Sequence, residues 1–228
     1  MTVINPESDA LRVFDVLENN GIAVIPLDVA YAIFGGTGDA IGRIFEAKGR
    51  SFTKPNGMLA DVELFSELHV VGERERAIVA AVTQDYGLPL SVVAPFRADH
   101  PIFKNVDAFA MQRSTKVGTL DLLINAGSLS NHLARLSRER GRPVLGSSAN
   151  RSLSGSKFLL EDVDIEVRNA AQIEIDYGLC RYANPRAISS TIIDLATFQV
   201  HRYGVCFDQI ADILRRWFNI ILPPMPEA

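Results

Sequence analysis

Short apolar runs, each about as long as a strand, alternate along this chain with stretches of helical spacing. No Ser/Gly/Pro-rich linker interrupts the alternation, and no run nears the roughly 18 to 20 apolar residues of a membrane span. That pattern leaves little besides an α/β domain. Residues 22–27 are apolar throughout and predict a buried strand. Before them Leu11, Phe14 and Leu17 recur every three residues and predict a helix over 8–19, stopped by Gly21 in a left-handed cap. Gly35, Gly36 and Gly38 predict a loop, and Asp39 then caps a helix running to Ala47. Further strands are expected at 58–62, 90–94, 144–146 and 190–195, the last pairing as a hairpin with 199–202. Further helices are expected over 74–84, over most of 121–140 up to Gly141, within 159–171 and over 208–218. The expectation is one domain over 1–228, with its core in 8–218 and a flexible, proline-rich tail over 219–228.

Charge narrows the function. A formal net charge of −4 argues against a broad nucleic-acid surface but leaves room for a local basic pocket. Two cysteines imply no disulfide framework, and the acidic N-terminus lacks a signal pattern, so a cytoplasmic setting without membrane association is expected. None of the four histidines has metal-ligand spacing. There is no Walker loop, no dinucleotide fingerprint and no nucleophile elbow.

Several small clusters carry chemistry. In Lys48-Gly49-Arg50, with Pro55 beyond, a point charge and a planar fork of donors suit phosphate oxygens. On spacing alone the same residues more readily suit the C-terminal end of a helix dipole. Ser147-Ser148-Ala149-Asn150 follows a short strand, where small polar residues admit a ligand to the backbone or simply make a turn. Ser156 lies in the continuation of that loop. Asp28, just past the first strand, either orients a substrate or caps a turn. Tyr31 follows it, and Arg202 follows a later strand.

In order, these pieces resemble the YrdC-like family, whose best-known members are threonylcarbamoyl-AMP synthases. The family shows P-T-[DE]-T-V-Y-G, K-x-R with a nearby proline, [ST]-S-A-N, S-T-[VI]-[VI]-D and a late arginine before glycine. Here these read Pro26 to Ala32, Lys48-Gly49-Arg50 with Pro55, Ser147 to Asn150 with Gly155, Ser190 to Asp194, and Arg202-Tyr203-Gly204. Tyr86 to Ser91 resembles the family's W-P-G-P-L-T. The resemblance spans about Gly21 to Gly204. It implies a twisted open mixed sheet with helices on its faces and a concave cleft. It also implies ATP, with Mg2+, as ligand. Lys48 and Arg50 would be catalytic; with Ser148, Asn150, Ser156 and Arg202 they would bind the nucleotide.

The chain departs from the family on the amino-acid side. Leu27 and Val29 replace two threonines, and Leu59 or a neighbour stands where some members carry a histidine. The family's V-x-[VI]-R-x-P falls on Val117 to Asp121, leaving Thr119 or nothing in place of its arginine. An arginine paired with a carboxylate contributes roughly 1.5–3 kcal/mol, which threonine cannot supply. The implied acceptor pocket is Leu27, Asp28, Tyr31, Leu59, Thr119 and Ser190. The implied activity is formation of a carbamoyl-type adenylate from ATP, bicarbonate or a carbamoyl donor, and an amine or amino acid, resembling the step that feeds tRNA t6A37 formation. Partners would include tRNA or tRNA-modification proteins. An RNA-binding or non-catalytic nucleotide-binding role is the alternative.

Overall fold

The computed structural model describes residues 4–49, 55–152 and 154–226. The first helix, α1 (Pro6–Glu18), starts where the Asn5 side chain accepts from the Ser8 amide at 3.0 Å, with Pro6 preorganised for the first turn. It buries Ala10, Val13, Phe14 and Leu17. The left-handed residue that ends it is Asn20 (φ 60°), not Gly21. Gly21 serves another need, because a Cβ there would lie 2.4 Å from Val16 Cγ1.

Strand β1 (Ala23–Pro26) pairs antiparallel with β2 (Tyr31–Gly35). The sequence reading placed no strand there and treated Gly35 as loop. Yet all five β2 residues are buried, as in a strand covered on both faces. Helix α2 (Gly38–Ala47) is capped by Thr37, whose hydroxyl accepts from Ala40, while Asp39 instead pairs with Arg43 at 3.1 Å. Next come β3 (Gly57–Ala60), α3 (Val62–Leu68), α4 (Glu73–Ala80) with a π turn at Ala81–Asp85, and β4 (Leu90–Pro95). Helix α5 (Ala108–Ser114) leads into β5 (Thr115–Lys116) and β6 (Thr119–Ile124). The helix expected over most of 121–140 is thus shorter: α6 (Ser128–Arg140), closed by left-handed Gly141 as anticipated. The chain finishes with β7 (Leu145–Ser148), α7 (Ile165–Asn169), β8 (Ile173–Glu174), β9 (Ile192–Asp194), β10 (Val200–Arg202) and α8 (Phe207–Phe218). Beyond α8, Ile220 and Leu222 are buried, so the core extends past residue 218.

One mixed sheet runs β10-β9-β4-β6-β3-β7-β2-β1-β8, with β5 on β6. Its central strands send alternate residues to opposite faces. Met58, Val92, Leu122 and Ile193 enter the larger core with residues of α2, α3, α4 and α8. The other face buries Ala32, Phe34 and Leu59 with residues of α1 and α6. Those two helices cover only part of that face. Over β4, β6 and β9 the sheet floors an open hollow. No helix among the described residues is long and apolar enough to cross a membrane.

Candidate active site

The hollow is a cavity of about 760 Å³. Register fixes its floor. Val93 is paired with Asp121 on one side and Asp194 on the other, and all three line the cavity. Gly57 adjoins Asp121, since a Cβ on it would sit 3.5 Å from the Asp121 carboxylate; Gly57 in turn pairs with Gly146. One row across the sheet therefore reads Gly146, Gly57, Asp121, Val93, Asp194. The next reads Leu59, Leu123, Ser91, Ile192.

Two cations reach this cavity from distant parts of the chain. Lys48, at the C-terminal end of α2, is buried and donates its ammonium proton to the Ser148 carbonyl at the end of β7. The K-x-R lysine is thus attached directly to the Ser-Ser-Ala-Asn strand end. The Ser148 hydroxyl donates to Asn150, whose amide donates to the Arg151 carbonyl at 2.6 Å. Arg202, at the end of β10, donates Nε to the Ser190 carbonyl at 2.6 Å and Nη2 to the Ser190 hydroxyl at 2.8 Å. Gly204 allows this clamp, because a Cβ there would lie 2.3 Å from the Ser189 and Ser190 backbone. Two of the five guanidinium donors of Arg202 are thereby used.

A polar chain joins Arg202 to the floor. The Ser190 hydroxyl accepts from Arg202 and lies 3.1 Å from the Ser91 hydroxyl. A hydroxyl has one proton, so Ser190 gives its own to Ser91, and that of Ser91 serves Asp121. Burial nevertheless pushes the Asp121 carboxyl up to about 6, against the opposing pull of Arg202, Ser91 and His201. Its Oδ1 is buried without a hydrogen-bond partner, as are the hydroxyls of Ser114 and Ser147, which also line the cavity. Both polar atoms of Asn56, next to Gly57, are in the same condition. Buried polar atoms are rarely left so, and a cluster around one hollow marks a place for a polar ligand. Asp194 differs: its Oδ1 accepts from the Ala196 and Thr197 amides.

Of the residues singled out in the sequence, Leu27, Tyr31, Lys48, Leu59, Thr119, Ser148, Asn150, Ser190 and Arg202 all line this cavity. Arg50 lies outside the described residues. Two others are elsewhere. Asp28 faces a separate hollow of about 450 Å³, 3.6 Å from Arg181, because the turn after β1 carries its side chain toward Gly127. Ser156 is absent from the cavity lining; its amide binds the Ala187 carbonyl at 2.8 Å, which holds its loop against residues 184–187. Besides Ser148 and Ser190, two more of these residues have hydroxyls already engaged. Tyr31 donates to Asp176 at 2.7 Å, which with burial raises its pKa, and Thr119 donates to the Lys116 carbonyl at 2.6 Å.

Sequence reasoning did not assign Asp121, Ser91 or His201 to the site, and it singled out Ser147 only as part of the Ser-Ser-Ala-Asn run. For Asp121 a signal existed. Thr119-Leu120-Asp121-Leu122 alternates polar and apolar with period two, which is strand spacing. Among the described residues no cluster of three or more His, Cys, Asp or Glu is arranged to hold a metal.

Comparison with known proteins gives the family context. The sequence profile of the Sua5, YciO and YrdC family, described as telomere recombination, matches residues 15–204. No curated protein matches the chain. Among solved structures, Sua5 of P. abyssi complexed with L-threonine is similar at a TM-score of 0.74 and 22% identity, covering 98% of this chain and 61% of that one. This chain therefore spans about three fifths of that protein's length. The hypothetical protein smu.1377c of Streptococcus mutans UA159 is similar at a TM-score of 0.75 and 19% identity, covering 92% of each chain. YciO of E. coli is similar at 0.65 and 19%, covering 87% of this chain and 90% of that one. At such identities the likeness shows the shared fold.

Proposed function

The chain belongs to the Sua5, YciO and YrdC family, and from that membership we propose that it forms a carbamoyl-type adenylate from ATP, in the manner of an L-threonylcarbamoyladenylate synthase but with an altered acceptor pocket. One observation carries the reading. Lys48, the end of β7 and Arg202 line a single cavity that is also rich in buried polar atoms without partners. That a Sua5 structure holds L-threonine supports a small-molecule acceptor here.

The chemistry has two steps. Bicarbonate takes up a proton and loses water to give carbon dioxide, and the acceptor amine attacks that carbon, forming a carbamate and returning the proton. A carbamate oxygen then attacks the α-phosphorus of ATP, and the bond to pyrophosphate breaks with its electron pair leaving on pyrophosphate. Negative charge gathers on the departing oxygens, and fixed cations in a partly dry cavity lower that cost most. Lys48 and the remaining donors of Arg202 are those cations, held in place by Ser148 and Ser190. Asn150 and Ser148 order the strand end beside them. Magnesium would arrive on the phosphates, since no cluster among the described residues is arranged to hold it. The product would pass to tRNA modification in the cytoplasm.

Pyrophosphate release in the presence of ATP, bicarbonate and candidate acceptors tests this. K48M keeps the side-chain volume and removes the charge. It is expected to lower turnover by roughly 100-fold or more, as loss of one preorganised electrostatic contact does, with an unchanged circular dichroism spectrum. Absence of ATP binding by wild-type protein in titration calorimetry would end the proposal.

A further inference from the structure

Asp121 is tied to its surroundings by the Ser91 hydroxyl and the charge of Arg202, and part of its carboxylate is left over. It lies mid-sheet on β6, with one carboxylate oxygen buried and without a hydrogen-bond partner. The row to one side of it carries no side chains, because Gly57 and Gly146 occupy those positions. A Cβ on Gly57 would meet Asp121 only at ordinary contact distance, so the fold does not require that glycine for lack of room. Gly146 differs, since a Cβ there would lie 2.5 Å from the Phe34 ring, so the space left beside the carboxylate is that at Gly57. The cations nearest in the argument are already held: Arg202 is clamped on Ser190, and Lys48 is on the Ser148 carbonyl. The adjoining row of the floor begins Leu59, Leu123, and Leu27 and Val29 also line the cavity.

A negative group with empty space beside it, bordered by apolar wall, matches a ligand with a cationic head and an apolar body. A carboxylate on the same ligand would meet the charges of Asp121 and Asp194 in the floor row, and in the proposed function Lys48 and Arg202 are taken by the phosphates. We infer that Asp121 binds the ammonium group of the acceptor, and that this acceptor is a primary alkylamine or amino alcohol without a carboxylate, not an amino acid. The inference deepens the proposed function and rests on it for the fate of the amine; binding of the amine itself does not depend on ATP chemistry. Burial raises the proton affinity of Asp121 and so suits it to take the proton that the ammonium must lose before attacking carbon dioxide.

Titration calorimetry of the full chain tests this, with and without a non-hydrolysable ATP analogue. The probes are L-threonine, its decarboxylated counterpart 1-amino-2-propanol, and propylamine. The two amines are expected to bind about 10-fold or more tighter than threonine. D121N is expected to weaken them about 10- to 100-fold, as loss of a charge-assisted hydrogen bond does, while affinity for the ATP analogue stays level or rises. G57A, which fills the space and leaves the charge, is expected to weaken the amines as well. Threonine binding as tight as the amines would overturn the inference, as would unchanged amine affinity in D121N or no amine binding under either condition. Failure of the ATP reading shows separately, as wild-type protein that does not bind the analogue.

Discussion

At the scale of single residues, the site is marked by what its groups cost the fold. Asp121 is ordinarily a group of pKa 3.8, and in the folded chain it stands near 6 because burial disfavours its charge. A raised pKa means the folded state holds the proton more tightly than the unfolded chain does. Its contribution to stability is therefore best below pH 3.8 and is lost as pH rises through 6. Around the carboxyl stand Arg202 and His201 from β10, Asp194 from β9 and Ser91 from β4, with Lys48 and Lys116 elsewhere in the lining. D121N removes the charge and keeps the shape. Urea melts should show the variant about 1–2 kcal/mol more stable than wild type at pH 8, allowing for cavity water. The difference should vanish below about pH 4. A variant less stable than wild type at pH 8 would mean that Asp121 is structural. A residue whose charge weakens the fold and faces a cavity is suited to binding, and no sequence periodicity reports that.

At the scale of elements, legibility followed the hydrophobic period. The helix over 8–19 was readable because Leu11, Phe14 and Leu17 recur, although Leu11 itself proves exposed; Phe14 and Leu17 carry the buried face. The hairpin of β9 and β10 was readable because Ile192 and Ile193 are β-branched and bounded by turn residues. β6 reads as helix in the sequence because its alternation covers only Thr119 to Leu122 before Leu122, Leu123 and Ile124 run together, and the helical spacing of α6 begins four residues later. Its cavity face also carries Thr119 and Asp121, polar residues that interrupt the apolar pattern of a buried strand. β2 was hidden by its glycine end and by burial on both faces, which erases alternation. A second consequence also belongs to this scale. His69, just past α3, is fully buried, donates Nε2–H to the Leu120 carbonyl of β6 at 3.1 Å and leaves Nδ1 without a partner. Burial lowers its pKa from 6.5 to about 4. The sign is opposite to that of Asp121: stability is full above pH 6.5 and is lost as pH falls toward 4, by about 2–3 kcal/mol. H69F should cost about 1 kcal/mol at pH 8 by leaving the Leu120 carbonyl without its donor, and should flatten the stability profile between pH 6.5 and 4. Chemical melts across that range check it, and a wild-type profile as flat as that of H69F would contradict it.

At the scale of the whole molecule, the motif order in the sequence was legible and the shape of the site was not. Lys48, Ser148 and Arg202 sit on α2, β7 and β10, and β7 and β10 are four strands apart in the sheet. They share a cavity only because β3, β6, β4 and β9 lie between them with their small and polar residues facing the same way. Asp28 shows the converse: it sits between Leu27 and Val29, both in the cavity lining, yet it points into another hollow, because the bend after β1 turns its side chain away. A site assembled across so much of the sheet exists only when the sheet is complete. A ligand bound there should therefore stabilise the chain as one unit. At about 100 times its Kd, an ATP analogue should raise unfolding free energy by about 2.7 kcal/mol. The urea midpoint should shift without a change in slope, since the same surface is exposed on unfolding. Amide exchange should slow together in β2, β7, β9 and β10. Protection confined to the end of α2 and β7, with β9 and β10 exchanging as before, would mean that Arg202 does not share the ligand held by Lys48.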